Sequence, residues 1–105
     1  MNLKIELDKI LKDKKILSGK DNGIALRTKL KMDEKDKDDN TYEVIISKEV
    51  YSFNSSYFLG LFEDSIKKIG ESKFREKYKF DCTPVIMENI EDGIKDALNN
   101  VNVLG

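Results

Sequence analysis

Three serines and an asparagine carry the chemistry that this 105-residue chain can be read for: Ser52, Asn54, Ser55 and Ser56, in the run Tyr51-Ser52-Phe53-Asn54-Ser55-Ser56-Tyr57. They follow a strand-like run, Tyr42 to Ser47, and open a helix-like run that continues to Ile69. Small polar residues at such a join place hydroxyls beside free backbone N–H groups at a helix N-terminus. That position favours anions, including a phosphate esterified to one of the serines.

Other chemistries lack their residues. The chain has no histidine, which removes Ser-His and Cys-His nucleophile pairs and the usual zinc ligands. One cysteine, Cys82, builds neither an internal disulfide nor a Cys-rich metal site, and a reducing cytosol suits it. Gly19 and Gly23 do not have the spacing of a phosphate-binding glycine loop. Glu63-Asp64 and Glu91-Asp92 are expected to be solvated helix surface rather than an acid–base dyad. An enzyme is therefore not expected, nor is a cofactor or a metal. The net charge of −1 gives no reason to expect nucleic acid or an anionic membrane as partner. The charged, alternating start, Asn2 to Leu7, is not expected to be a signal peptide, and no apolar run approaches a membrane span.

The elements follow from periodicity. Leu3, Ile5 and Leu7 alternate with charges, as in a half-buried strand. Asp8 to Lys15 is expected to be a turn or short helical piece, and Ile16-Leu17 a short strand. Ser18, with Asp21 three residues on, predicts a helix running through Ile24, Leu26, Arg27 and Leu30 to about Met32, weakened by Gly23. Asp33 to Asn40 contains no apolar residue and reads as a solvated loop; it lacks the glycine and bidentate glutamate of a calcium loop. Thr41 to Ser47 is apolar at its centre, as expected of a strand covered on both faces.

Phe58, Leu59, Phe62, Ile66 and Ile69 form the core stripe of the helix that Asn54, Ser55 or Ser56 would cap. Gly70 is placed for a left-handed C-terminal cap. Glu71 to Tyr78 predicts a short helix, and Lys79 to Cys82 a short strand with Cys82 buried at its end. Thr83-Pro84 predicts the N-cap and first position of a last helix carrying Ile86, Ile90, Ile94, Ala97 or Leu98, and then Val101. Gly93 is a weak point in it, and Asn99 to Gly105 is expected to fray, unless Val101, Val103 and Leu104 dock. One domain, residues 1–105, is the expectation.

Val50 to Phe62 resembles the signature of STAS-like domains, the small α/β modules of bacterial anti-sigma factor antagonists, and more closely a bacterial STAS-like family without settled activity. Leu17-Ser18 to Leu30 and Lys79 to Ile94 extend the similarity over most of the chain. The resemblance implies an α/β fold: a small mixed β-sheet of about four strands covered by helices. It also implies a non-catalytic cytoplasmic regulatory module that binds a histidine-kinase-like ATPase. In anti-sigma factor antagonists the last of the paired Ser/Thr is phosphorylated by such a partner, which here corresponds to Ser56. Asn54 departs from the Asp of that motif. The expected partner surface is Ser52, Asn54, Ser55, Ser56 and Tyr57, with Tyr51 and Tyr57 as flanking aromatic anchors. An alternative function is an immunity or inhibitor protein that neutralises a toxin or nuclease. Its surface would be the acidic run of Asp33, Glu34, Asp36, Asp38 and Asp39, mimicking an anionic substrate. A third is oligomerisation alone.

Overall fold

A computed structural model describes the backbone of residues 1–12 and 14–104, and the side chains of residues 1–12 and 14–100. In chain order the elements are β1 (Asn2–Glu6), α1 (Leu7–Leu11), β2 (Ile16–Leu17), α2 (Lys20–Lys29), α3 (Met32–Lys37), β3 (Thr41–Ile45), β4 (Ser52–Phe53), α4 (Ser55–Lys77), β5 (Tyr78–Asp81) and α5 (Pro84–Leu104). The fold is α/β. The strands form two sheets, a three-stranded one in the order β1-β3-β5 and a two-stranded one, β2-β4. Among the described residues every strand pair is parallel, so five strands in two parallel sheets replace the expected mixed sheet of about four.

β3 is central in order but is covered on one face only. Tyr42, Val44 and the following Ile46 are buried, while Glu43 and Ile45 are half-exposed. This corrects the expectation of a strand apolar on both sides. The register aligns Lys4, Glu43 and Lys79 in one row across the sheet, and alternating charge suits a solvated face.

The covered face meets an aromatic cluster. Phe62 lies 5.3 Å from Phe58 and from Phe74, and 5.6 Å from Tyr78 and from Phe80, between ring centroids. Its contacts with Phe74 and Phe80 are edge-on, the geometry that aromatic quadrupoles favour. Phe58, Phe62 and Ile66 are buried as the stripe predicted, Leu59 and Ile69 are only partly so, and Leu61 is fully buried as well. Ile86, Ile90, Ile94 and Ala97 complete the core from α5. Thr83 does cap that helix: its Oγ1 accepts from the Ile86 N–H at 3.3 Å, and its carbonyl from Met87 at 2.9 Å. Among the described residues no helix is long and apolar enough to cross a membrane.

Several local expectations change. α2 starts at Lys20 after Gly19 (φ 90°), so Ser18 is not its cap; the Ser18 carbonyl instead accepts from the Asn22 amide at 2.9 Å. α2 stops before Met32 because Lys31 turns left-handed (φ 55°, ψ 50°) and starts α3. Gly70 has the anticipated positive φ, 84°, but with an extended ψ of 162°. Its non-helical backbone separates two helical segments within Ser55–Lys77, as the expected short helix from Glu71 requires, although it is not a left-handed helical cap. α5 keeps helical backbone through Leu104, where a frayed tail from Asn99 was expected. The side chains of Val101, Val103 and Leu104 lie outside the described residues.

Candidate functional site

The β2–β4 pair sets the position of the serine turn. Its register opposes Ile16 to Ser52 and Leu17 to Phe53. The Asn54 N–H donates to the Leu17 carbonyl at 2.8 Å, and the Phe53 N–H donates to Asn89 Oδ1 of α5 at 2.8 Å. The chain is therefore tied on both sides just before α4 begins. Asn54 is the N-cap residue by backbone (φ −65°, ψ 144°), and its carbonyl accepts the first helical bond from Phe58 at 3.0 Å. No side-chain oxygen caps this helix, contrary to the expectation that Asn54, Ser55 or Ser56 would do so. Among the described residues the first-turn N–H groups thus have no side-chain partner.

Two glycine contacts fix α4 against its neighbours. Gly23 of α2 and Gly60 of α4 meet backbone to backbone, and a Cβ on Gly60 would stand 3.1 Å from the Gly23 Cα and 2.9 Å from the Ile24 nitrogen. Only residues without a side chain permit that approach. On the other side, a Cβ on Gly93 of α5 would stand 2.9 Å from the Phe58 Cβ. Gly23 and Gly93 are thus packing devices rather than mere helix weaknesses.

Asn54 and Tyr51 are exposed, Tyr51 by 60%, and Ser52, Ser55 and Ser56 are half-buried. Ile16, opposite Ser52, is 48% exposed. Tyr57 departs from expectation. It is only 4% exposed and packs edge-on against Phe53 at 5.6 Å, so its ring is not a surface anchor.

The acidic run Asp33 to Asp39 is not a solvated loop. Most of it forms α3, and Asp36 is buried. Asp36 accepts hydrogen bonds from Arg27 (2.7 Å), Ser65 (2.9 Å) and Tyr78 (2.6 Å). Arg27 also donates to the Leu61 carbonyl (2.8 Å), to Ser65 Oγ (2.9 Å) and to Asp33 (2.7 Å), which Lys68 reaches at 2.9 Å. Burial opposes the Arg27 charge, but the Asp36 and Asp33 carboxylates outweigh it and hold its pKa above the ordinary value. Lys68 and Arg27 hold Asp33 down to about 2. Asp38 is also held at about 2: burial pushes it up, but Lys77, the Tyr42 hydroxyl and the Asn40 N–H outweigh that. Lys77 donates to Asp38 Oδ1 at 2.8 Å and to the Asn40 carbonyl at 2.8 Å. Glu34 and Asp39 are exposed.

This polar cluster clamps α3 onto α2, α4 and β5. Sequence reading missed it. Its one legible trace is Ser65, a polar residue lying among Leu61, Phe62, Ile66 and Ile69 on the apolar stripe. Glu63 also differs from expectation: it is buried, accepts from the Asn100 amide at 2.6 Å and lies 3.8 Å from Lys20. Glu91 and Asp92 are exposed as expected, with Glu91 paired to Arg75 at 2.8 Å through each oxygen. Cys82 is half-buried at the end of β5, and burial raises its pKa. No group of three or more His, Cys, Asp or Glu among the described residues is arranged to hold a metal ion.

Comparison of the chain with protein-family models, with curated proteins and with solved structures finds no match.

Proposed function

We propose that this chain is a non-catalytic, cytoplasmic protein-binding regulatory module of the STAS-like kind, with its partner surface at the turn from β4 into α4. The observation that carries the reading is that Ser55 and Ser56 sit half-exposed in the first turn of α4 with no capping duty. The fold does not consume them. Exposed Tyr51 and Ile16 flank the same turn through the β2–β4 register, giving a polar centre with apolar neighbours. An apolar body with a polar tip, as in Tyr51, is favoured in binding hot spots.

Ser56 is the proposed regulatory position and a histidine-kinase-like ATPase the proposed partner, both from the resemblance of the motif to anti-sigma factor antagonists. A phosphate on Ser56 adds about −1.5 to −2 charge. The unpartnered N–H groups and the helix dipole offset that charge locally, so phosphorylation alters docking rather than folding. The inhibitor alternative draws less support, because Asp33, Asp36 and Asp38 are already paired to Arg27, Lys68 and Lys77. Asp33, Glu34 and Asp39 are exposed, but of these only Glu34 and Asp39 have no ion-pair partner among the described residues.

The test is recovery of the partner from native lysate on immobilised protein, followed by incubation of the recovered complex with ATP and mass spectrometry of the peptide spanning Ser56. An ATPase that phosphorylates Ser56, with no phosphate on Ser56→Ala, is the expected result. Recovery of a toxin or nuclease whose binding is lost in Glu34→Lys with Asp39→Lys would establish the inhibitor reading instead.

A further inference from the structure

A hollow lies between α1 and α2, away from the acidic network. Its walls are Ile10 and Leu11 of α1 and Ala25 and Leu26 of α2, with Tyr57 from the first turn of α4. Lys14, Asn22 and Lys29 complete the lining, and no described lining residue is acidic. In a chain with 20 acidic residues against 19 basic ones, an apolar hollow bordered by two lysines and no described carboxylate is a local departure from the charge balance.

Tyr57 supplies the second observation. The residue is 4% exposed, yet its hydroxyl makes no hydrogen bond among the described residues, and burial alone raises its pKa. Buried tyrosine hydroxyls ordinarily find a partner. Every fully enclosed side-chain polar atom among the described residues has one, so the Tyr57 hydroxyl is not sealed in. Tyr57 lines the hollow, and its hydroxyl has donor capacity left for a ligand.

We infer that this hollow docks an acidic segment of a partner protein, which inserts an apolar side chain between Leu11 and Leu26 and sets carboxylates against Lys14 and Lys29. The Tyr57 hydroxyl donates to a carboxylate or carbonyl of the same segment. Charge complementarity selects the occupant: a basic segment would meet two ammonium groups with no described acid to offset them, and a neutral apolar one would leave both lysines unused. The site goes beyond the serine turn, although Tyr57 follows Ser56 in the same helical turn. A partner engaging both would bury one continuous surface around the start of α4.

The test uses a fluorescein-labelled peptide of leucine and glutamate, with a matched leucine–lysine peptide as control, titrated by the intact protein and read by anisotropy. The acidic peptide is expected to bind, to weaken with added salt, and to lose about tenfold or more in affinity in Lys14→Glu with Lys29→Glu. These lysines are exposed, so the variant keeps its fold, which circular dichroism checks. Tyr57→Phe retains the ring packing and is expected to weaken the acidic peptide without lowering the melting temperature. In amide NMR spectra the peptide should shift Leu11, Ala25 and Leu26. Absence of binding, equal binding of the lysine peptide, unchanged affinity in the double variant, or shifts confined to other residues would each overturn the inference. This test needs no natural partner. A Ser56→Asp variant that leaves partner affinity unchanged removes the serine reading alone, and unchanged peptide binding in the lysine variant removes the hollow alone.

Discussion

Phe62 and Asp36 show the two ways a single residue holds this fold. Phe62 is 1% exposed and touches rings from α4 and β5. Phe62→Ala is expected to cost about 3–5 kcal/mol, a large share of a small domain's stability, seen as a lower urea midpoint. Asp36 acts through charge. Asp36→Ala leaves the Arg27 guanidinium buried with Asp33 as its remaining carboxylate and strands the Tyr78 hydroxyl, and is expected to cost about 3–5 kcal/mol. Replacing Arg27 and Asp36 together by apolar residues should cost less than the two single losses summed, which a double-mutant cycle reads directly. The pH response follows from Asp33 and Asp38, both held at about 2 against an ordinary 3.8. The unfolded chain takes up these protons at higher pH than the folded one. Their contribution is therefore full above pH about 4 and is lost as pH falls toward about 2. Urea midpoints across that window should decline, and less steeply in Asp38→Asn.

Among the elements, the α2–α4 crossing makes the sharpest demand. Gly60→Ala raises the helix propensity of α4 by about 1 kcal/mol. It also drives a Cβ against the Lys20 carbonyl, the Ile24 nitrogen and the Gly23 Cα, all backbone atoms that cannot rotate away. A net loss of about 1–3 kcal/mol is expected, measured by thermal melting. This crossing marks the boundary of what the sequence discloses. Local signals located the strand at Thr41, the start of α4 to within a residue (Asn54 expected, Ser55 found) and the Thr83 cap. The same local logic read Gly23 and Gly93 as weak points, since their reason for being glycine is a partner far away in sequence. α3 was missed for a related cause. A charged, non-apolar run lacks the hydrophobic period of a helix, and Asp36 belongs in the core only because Arg27, Ser65 and Tyr78 converge on it. At the candidate site, the turn itself was legible. The burial of Tyr57 and the missing side-chain cap were not, because both depend on how α4 seats against α2 and β4.

For the molecule as a whole, the residues that hold α4 are not the serines proposed for recognition. The aromatic cluster, the glycine crossing and the Asp36 network hold α4 in place, whereas Ser55 and Ser56 at its start are spared by the fold. Ser56→Asp is therefore the substitution that separates the two. A carboxylate in the first turn of α4 is neutral or stabilising by about 0.3–1 kcal/mol through the helix dipole. At an interface the same charge must be desolvated or matched, and an unmatched one costs several kcal/mol. The decisive measurement is titration calorimetry of Ser56→Asp and the parent chain against the recovered partner, with thermal melts of both. The predicted result is a melting temperature equal to or above the parent's together with affinity changed about tenfold or more. Unchanged affinity with an unchanged melt would contradict the claim that this turn is the partner surface.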